Sequence, residues 1–415
     1  SPQIDSLASQ GILFKSVLAT SNWSVPTHAS LFTGLYPSSH GAYSLFSVLD
    51  DHIPTLAEIL SKNSYYTLSL YGNLLLDEVS GMNRGFDMAL GVELDRRTSY
   101  TLERIYAKFL KKTPLSEEIV KIAQKWIDHC VTLNLPSFVF INLFEVHAPY
   151  SPKEPYFSDL LTTIATDKVN LDLVNQFGYL PSSRKEKLEM LSQFSRSDLE
   201  YLARMYDSNI KYTDILIGKL IKNQKVKGRF TNTLNIITAD HGEFLGEHGF
   251  IGHLTPKLYN PGLKIPLIMI YPEKLIPRAL DRFVSQVDIF PTVLTLLGMK
   301  SQIPRVIQGS NLFSKEESGD AIAEFWDDAN EKFTRAIISK EYKLIVHDDQ
   351  NCELYNLGRD PEESDNLAEE MPMKANEMRE KLNVRINSFK QFRKKIDNRK
   401  IKQLKELLKS LSYID

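Results

Sequence analysis

Residues 22–41 read NWSVPTHASLFTGLYPSSHG. Ser24 stands where an N-cap serine would. Pro26 falls in the first helical turn, where its missing N–H costs little, and Ala29, Leu31 and Phe32 carry an apolar helical face as far as Gly34, which can stop it. A helix is therefore expected to begin at Ser24. A hydroxyl there lies among unpaired backbone N–H groups at the positive end of the helix dipole, a setting that suits an oxyanion such as sulfate or phosphate, and so a nucleophile that attacks one. The competing reading is a serine that only caps.

Outward from this stretch, helical and extended patterns alternate. Residues 1–19 give a short amphipathic helix with Ile4, Leu7 and Ala8 on one face, ended by Gly11 and followed by an extended segment. Pro54–Leu60 reads as helix, Tyr66–Tyr71 as strand and 116–130 as helix. Ser137–Leu143 (SFVFINL) is a continuous apolar run of the buried parallel type. It leads into FEVHAPY, which puts His147 just past a strand's carboxyl end, where open α/β sheets place ligands. The helical pattern Leu199–Leu220 precedes Leu234–Thr238, a β-prone run ending in Asp240, His241 and Gly242. A carboxylate and an imidazole at a strand end can both ligate a divalent cation, and the glycine permits a tight turn.

Lys264–Tyr271 is another buried strand, and Asp288 and Pro291 open a helix that Gly298 closes. These elements predict an α/β fold with a large mixed, mostly parallel sheet sandwiched by helices over residues 1–312. Residues 157–196 read as a polar, irregular insertion or lid. Beyond 312 the strands Ala321–Phe325, Arg335–Ser339 and Tyr342–Val346, the last two joined at Lys340-Glu341, predict a small antiparallel sheet. That subdomain, 313–415, ends in a basic helical tail with Leu404, Leu407, Leu408 and Leu411 on one face.

The totals narrow the function classes. Of 415 residues 42% are apolar and 25% charged, the balance of a folded globular chain. The formal charge of −2 conceals a tail, 371–415, with 13 Lys/Arg against 5 Asp/Glu, hence +8 there and −10 elsewhere. The main body is no nucleic-acid surface. Cys130 and Cys352 have neither disulfide-framework nor zinc spacing. No run reaches the roughly 18–20 apolar residues of a membrane helix, and no leader is visible from Ser1.

Ser24, Pro26, Thr27, Thr33, Gly34, Pro37, His40 and Gly41 together resemble the signature of the sulfatases, in the alkaline-phosphatase-like superfamily. The resemblance continues in Arg84-Gly85-Phe86-Asp87, in His147, Pro149 and Tyr150, in Asp240-His241-Gly242 with its following Gly-Glu-His-Gly, in the 284–299 element and in 352–368. It implies one divalent metal ion (Ca, Mg, Mn or Zn) on Asp240, His241 and Ser24, and substrate contacts from His147 and from His28, which replaces the family's Arg. Either His253 or Lys257 would face the leaving group, the spacing to Tyr259 leaving both open; His248 is read as structural. It also implies a first strand ending in two metal-binding Asp residues. These are not in residues 1–415, and an upstream strand carrying them is expected.

The chemistry so implied is nucleophilic displacement at sulfur or phosphorus from Ser24, with His147 and His253 or Lys257 stabilising the oxyanion or protonating the leaving alkoxide. Sulfatases convert the nucleophile to formylglycine. With His28 in place of Arg, Ser24 is expected to stay unmodified, the habit of the superfamily's phosphatases, phosphodiesterases and phosphoryl transferases. Sulfate-ester hydrolysis is the first reading and phosphate or phosphonate chemistry the second. A binding protein without activity is the third, should the Asp pair be absent. The substrate would be a small-molecule, glycan or lipid ester.

Overall fold

The computed structural model describes residues 1–77, 80–91, 115–162, 164, 166–176, 191–314, 320–347, 351–392, 401–403 and 405–406. Its first strand, β1 (Ile12–Leu18), follows the short helix Pro2–Ala8 and buries Ile12, Phe14, Val17 and Leu18, with Lys15 exposed where the register shifts. A second parallel group is built from β2 (Tyr66–Tyr71), β3 (Met88–Gly91) and β4 (Ser137–Asn142). β2 is central there, and all three strands run the same way.

β5 (Asn235–Thr238) is followed by a tight hairpin of β6 (Phe244–Leu245) and β7 (Ile251–Gly252). β8 (Lys264–Ile270) lies antiparallel between β5 and β1, and β9 (Arg278–Ser285) runs parallel to β1 on its other side. The order β5-β8-β1-β9 therefore has three strands in one direction and one reversed. The fold is α/β with a mixed, mostly parallel arrangement, as the alternation of patterns predicts.

Two helical layers cover both strand groups. On one face Ala29 and Phe32 of the helix Ser24–Thr33 pack towards Phe140 of β4 and Ala89 of β3. Beside them Ile59 and Leu60 of the helix Leu56–Lys62 share a core with Phe14, Phe138 and Ile236, from β1, β4 and β5. On the other face the helix Arg196–Val226 reaches across: Leu220 packs with Leu68 and Ile141, and Ile221 with Ile268 and Ile237. A capping box, Ser195 with Asp198, starts this helix.

The C-terminal sheet is β10 (Ala321–Asp327), β11 (Lys332–Ser339), β12 (Tyr342–Val346) and β13 (Cys352–Asn356), antiparallel throughout. Its pleat divides its residues cleanly. Ala323, Ala336, Ile345 and Tyr355 join the core that holds the Ser24 helix, while Ile322, Ile337, Leu344 and Leu354 meet Met378 and Leu382 of the helix Pro372–Asn387. β9 and β13 escape a reading from pattern. In β9 Arg278, Asp281 and Arg282 interrupt the apolar residues without a period of two, and β13 lies in a stretch whose turn residues dominate.

The expectation of an irregular 157–196 segment is corrected for the described part. Helices Tyr156–Leu161 and Leu171–Gln176 pack through Phe157 and Val174 onto Leu202 and Met205, because a few apolar anchors among polar neighbours suffice against a long helix. The leucines at 404, 407, 408 and 411 lie outside the described residues. No helix among the described residues is long and apolar enough to cross a membrane.

Candidate active site

The carboxyl ends of β1, β4, β5 and β9 open on one side, and the loops after them carry the polar groups. Ser24 is the first residue of its helix, with Trp23 in the N-cap position and no side-chain cap bond. The expected capping serine is thus corrected. As an N-cap, Ser24 would have to reach the N–H of one of the next residues inside the helix, and Pro26 has none to give. Its hydroxyl instead lies 3.4 Å from His241 Nε2, in a nearly fully buried place.

The turn Asp240-His241-Gly242 follows β5. Gln286 Nε2 donates to the Asp240 carbonyl (3.0 Å), and Gly242 N–H donates to Gly262 O (3.0 Å). A Cβ on Gly242 would come within 2.0 Å of the Pro261 carbonyl oxygen, so only glycine fits this approach. Asp240 Oδ2 sits 3.5 Å from His241 Nε2 and 3.6 Å from His28 Nδ1. Burial alone would raise the Asp240 carboxyl, but the two imidazoles and hydrogen bonds from the His241 N–H and Ser24 hold it well below the usual carboxylate range. Burial lowers His241, against the pull of Asp240.

Beyond His241 the site continues through His253, whose ring centroid is 4.6 Å from that of His241 and 4.8 Å from that of His147. His253 Nδ1 lies 2.7 Å from Glu243 Oε2, and Tyr150 OH donates to Glu243 Oε1 at 2.8 Å. Burial pushes the Glu243 carboxyl up, and His253, His147 and His241 more than offset this, so it stays low. Burial, with His253 adding to it, lowers His147 to about 4. His147 Nδ1 contacts the Ala148 carbonyl, while its Nε2 is buried with no hydrogen-bond partner among the described residues.

The structure therefore brings Ser24, Asp240, His241, His253 and His147 into one connected set. Two residues read from sequence stand at its margin. His28 is buried behind Asp240, donating from Nδ1 to the Ser24 carbonyl (2.8 Å) with its ring edge-on to Phe140. The Lys257 ammonium lies over the rings of Tyr259 (5.7 Å) and Phe250 (6.0 Å). His248 stacks on Tyr259 at 3.8 Å. Glu243 was missed by motif reading. Its only signal is that it follows the Asp-His-Gly turn directly, and its partners come from elsewhere in the fold.

The loop 253–259 is tied to the nucleophile by Asn22, whose amide donates to the carbonyls of Thr255 (2.6 Å) and Lys257 (3.0 Å). Beneath, Thr20 donates to Ser30 Oγ (2.8 Å), and Ser30 meets His40 Nε2 (3.1 Å). The metal position implied by the resemblance offers one carboxylate, one imidazole and one hydroxyl among the described residues. A hard cation takes six or more ligands, chiefly oxygens, so Asp240, His241 and Ser24 alone do not fit calcium or magnesium.

Residues 1–299 match the Sulfatase family, and residues 246–392 match the family described as N-sulphoglucosamine sulphohydrolase, C-terminal. The uncharacterized sulfatase YidJ of Escherichia coli (strain K12) is 25% identical over 398 residues, covering 89% of this chain and 78% of its own length. Arylsulfatase K of Xenopus laevis is 24% identical over 419 residues, covering 92% and 77%. Among solved structures, BT4656 in complex with its substrate D-glucosamine-2-N,6-O-disulfate superposes with a TM-score of 0.71 at 18% identity, covering 93% of each chain. The phosphonate monoester hydrolase of Agrobacterium radiobacter reaches 0.72 at 21% identity, covering 92% of this chain and 90% of its own. With a family match over most of its length, strands whose carboxyl ends gather the signature residues, and relatives that align along nearly all of it, the chain belongs to the sulfatase family.

Proposed function

We propose that this chain hydrolyses sulfate esters, with Ser24 as the position of the nucleophile. The observation that carries the reading is the Ser24 hydroxyl, 3.4 Å from His241 Nε2 beside an ionised Asp240, at the first turn of a helix. There the O–H proton has a neutral imidazole and a carboxylate to go to, and the helix N-terminus meets the negative charge that develops on the ester oxygens. His147 and His253 line the side on which the sulfate group would rest. Lys257, on the loop after His253, is the cation closest in sequence to reach a leaving group. His28 orients the Ser24 peptide and Asp240 and does not face the substrate in this reading. A sulfated sugar is the first substrate class to try, on the likeness to the disulfated glucosamine complex.

A second reading is phosphate or phosphonate ester hydrolysis by an unmodified Ser24. It is favoured by His28, which stands four residues after Ser24 where the sulfatase pattern has Arg and is engaged by the Ser24 carbonyl. The test is a panel of aryl and sugar sulfates, phosphate mono- and diesters and phosphonate monoesters, together with mass spectrometry of the Ser24 peptide. Turnover of sulfates above the others supports the first reading. Turnover of phosphorus esters alone, with an intact serine, overturns it in favour of the second; loss of two hydrogens at Ser24 would identify formylglycine.

A further inference from the structure

Tyr259 links the loop after His253 to the C-terminal sheet. Its hydroxyl donates to Glu353 Oε2 of β13 (2.7 Å), Tyr355 OH donates to the same oxygen (2.7 Å), and His347 Nε2 lies 2.6 Å from Glu353 Oε1. Burial raises the Glu353 carboxyl, but His347 and the two tyrosines more than offset this and bring it to about 2, so the acceptor is an ionised carboxylate near neutral pH. The Tyr259 ring is buried, His248 stacks on it at 3.8 Å, and the Lys257 ammonium lies over it at 5.7 Å. The backbone of Lys257 is fixed separately, since its carbonyl accepts from the amide of Asn22, two residues before Ser24. A lysine ammonium rides on a flexible four-carbon stem. Here the ring faces of Tyr259 and Phe250 direct it, and that attraction fixes the cation only where the rings themselves are held.

We propose that Glu353, acting through the Tyr259 hydroxyl, is a positioning residue for Lys257 and holds its ammonium toward the departing oxygen of the ester. The inference deepens the hydrolase reading and rests on it, with Lys257 as the leaving-group cation. It gives the C-terminal sheet a part in the reaction through the loop that it grips. Its signature is selective. The oxygen of an unsubstituted phenyl ester carries much charge as it departs and needs the cation, whereas 4-nitrophenolate leaves with little help. Tyr355 supplies the internal comparison, because it makes the same bond to the same carboxylate oxygen from within β13, outside the loop.

The experiment measures kcat and KM of the full chain on a series of substituted phenyl sulfates, and on the matching phosphate and phosphonate esters. The variants are Lys257→Ala, Tyr259→Phe, Glu353→Ala, Tyr355→Phe and the double variant Lys257→Ala with Tyr259→Phe. Tyr259→Phe, which keeps the ring, and Glu353→Ala should each lower kcat for the phenyl ester by about tenfold and for the 4-nitrophenyl ester by less than about twofold, with KM unchanged. In the Lys257→Ala background Tyr259→Phe should cost nothing further. Tyr355→Phe should lower the melting temperature as Tyr259→Phe does and keep the wild-type dependence on leaving group. An equal loss across the series, full additivity with Lys257→Ala, or the same selective loss in Tyr355→Phe overturns the inference and leaves the hydrolase reading standing. A flat response of the series to Lys257→Ala overturns the role of Lys257 and the inference with it. A wild type that turns over none of the esters overturns the hydrolase reading itself, and the inference falls too. Circular dichroism checks folding, and if Glu353→Ala does not fold, Tyr259→Phe decides alone.

Discussion

Ser24 makes no cap bond, so truncating it takes chemistry away and little else. Ser24→Ala is expected to abolish ester turnover while changing stability by only about 1 kcal/mol, the net worth of one hydrogen bond, as kinetics and thermal melts of the same preparation would show. His40 carries a different prediction. It is fully buried, accepting at Nδ1 from Ala42 N–H and pointing Nε2 at Pro26 O and Ser30 Oγ, and burial lowers it from 6.5 to about 3. The unfolded chain therefore binds the extra proton between these values. The stability this residue confers is whole above pH 6.5 and is lost as pH falls towards 3. Melting temperature should fall by several degrees from pH 7 to pH 4.5, and His40→Gln should flatten that limb. At this scale the grouping of Ser24, Asp240, His241 and His147 was legible because each begins a helix or follows a strand. Glu243 was not, since Tyr150 and His253 reach it only in three dimensions. His28, four residues after Ser24 and read from sequence as a substrate contact, has its Nδ1 on the Ser24 carbonyl and 3.6 Å from Asp240 Oδ2, an environment that one helical turn sets and the sequence does not show.

The turn after β5 is an element with no slack. Gly242 has the Pro261 carbonyl where a side chain would begin, so Gly242→Ala must push 240–242 away from 261–262. Activity is expected to drop more than tenfold, with about 2 kcal/mol or more of stability lost, measured by kinetics and urea denaturation; wild-type values for both would refute the close packing. Elements whose apolar residues run together or keep one period were readable directly, as with β2, β4 and β8. β9 was not, since Arg278, Asp281 and Arg282 break the apolar run of a strand that is only half covered. The helices Tyr156–Leu161 and Leu171–Gln176 are too short to announce themselves by periodicity and owe their place to Leu202 and Met205.

Across the whole molecule a fully buried ion pair inside the C-terminal part, Lys343 of β12 with Glu363 (2.5 Å), meets the rest of the chain at Asn260. Asn260 joins it from both its N–H, to Glu363 Oε2 (2.6 Å), and its side chain, to Lys343 Nζ (3.1 Å). Burial lowers Lys343 from its ordinary value, and Glu363 works against this. Glu363→Ala strands a buried ammonium and should cost about 3–5 kcal/mol in chemical denaturation. The double variant Lys343→Met with Glu363→Gln should lose clearly less than that. A second anchor is Glu353, which accepts from Tyr259, on the loop after His253, and from Tyr355 in its own strand. The shared core explains why composition marks a change near residue 312 while packing continues across it. The pairing of β1 with β9 has one more consequence, for synthesis on the ribosome. Ile12 pairs with Met269 of β8 on one side and Arg278 of β9 on the other, and β8 begins only at Lys264, so the nascent chain must carry an unmatched apolar strand through most of its translation. The sheet can close only late, which makes this a slow, high-contact-order folder whose truncated products would be prone to aggregate and would depend on chaperones.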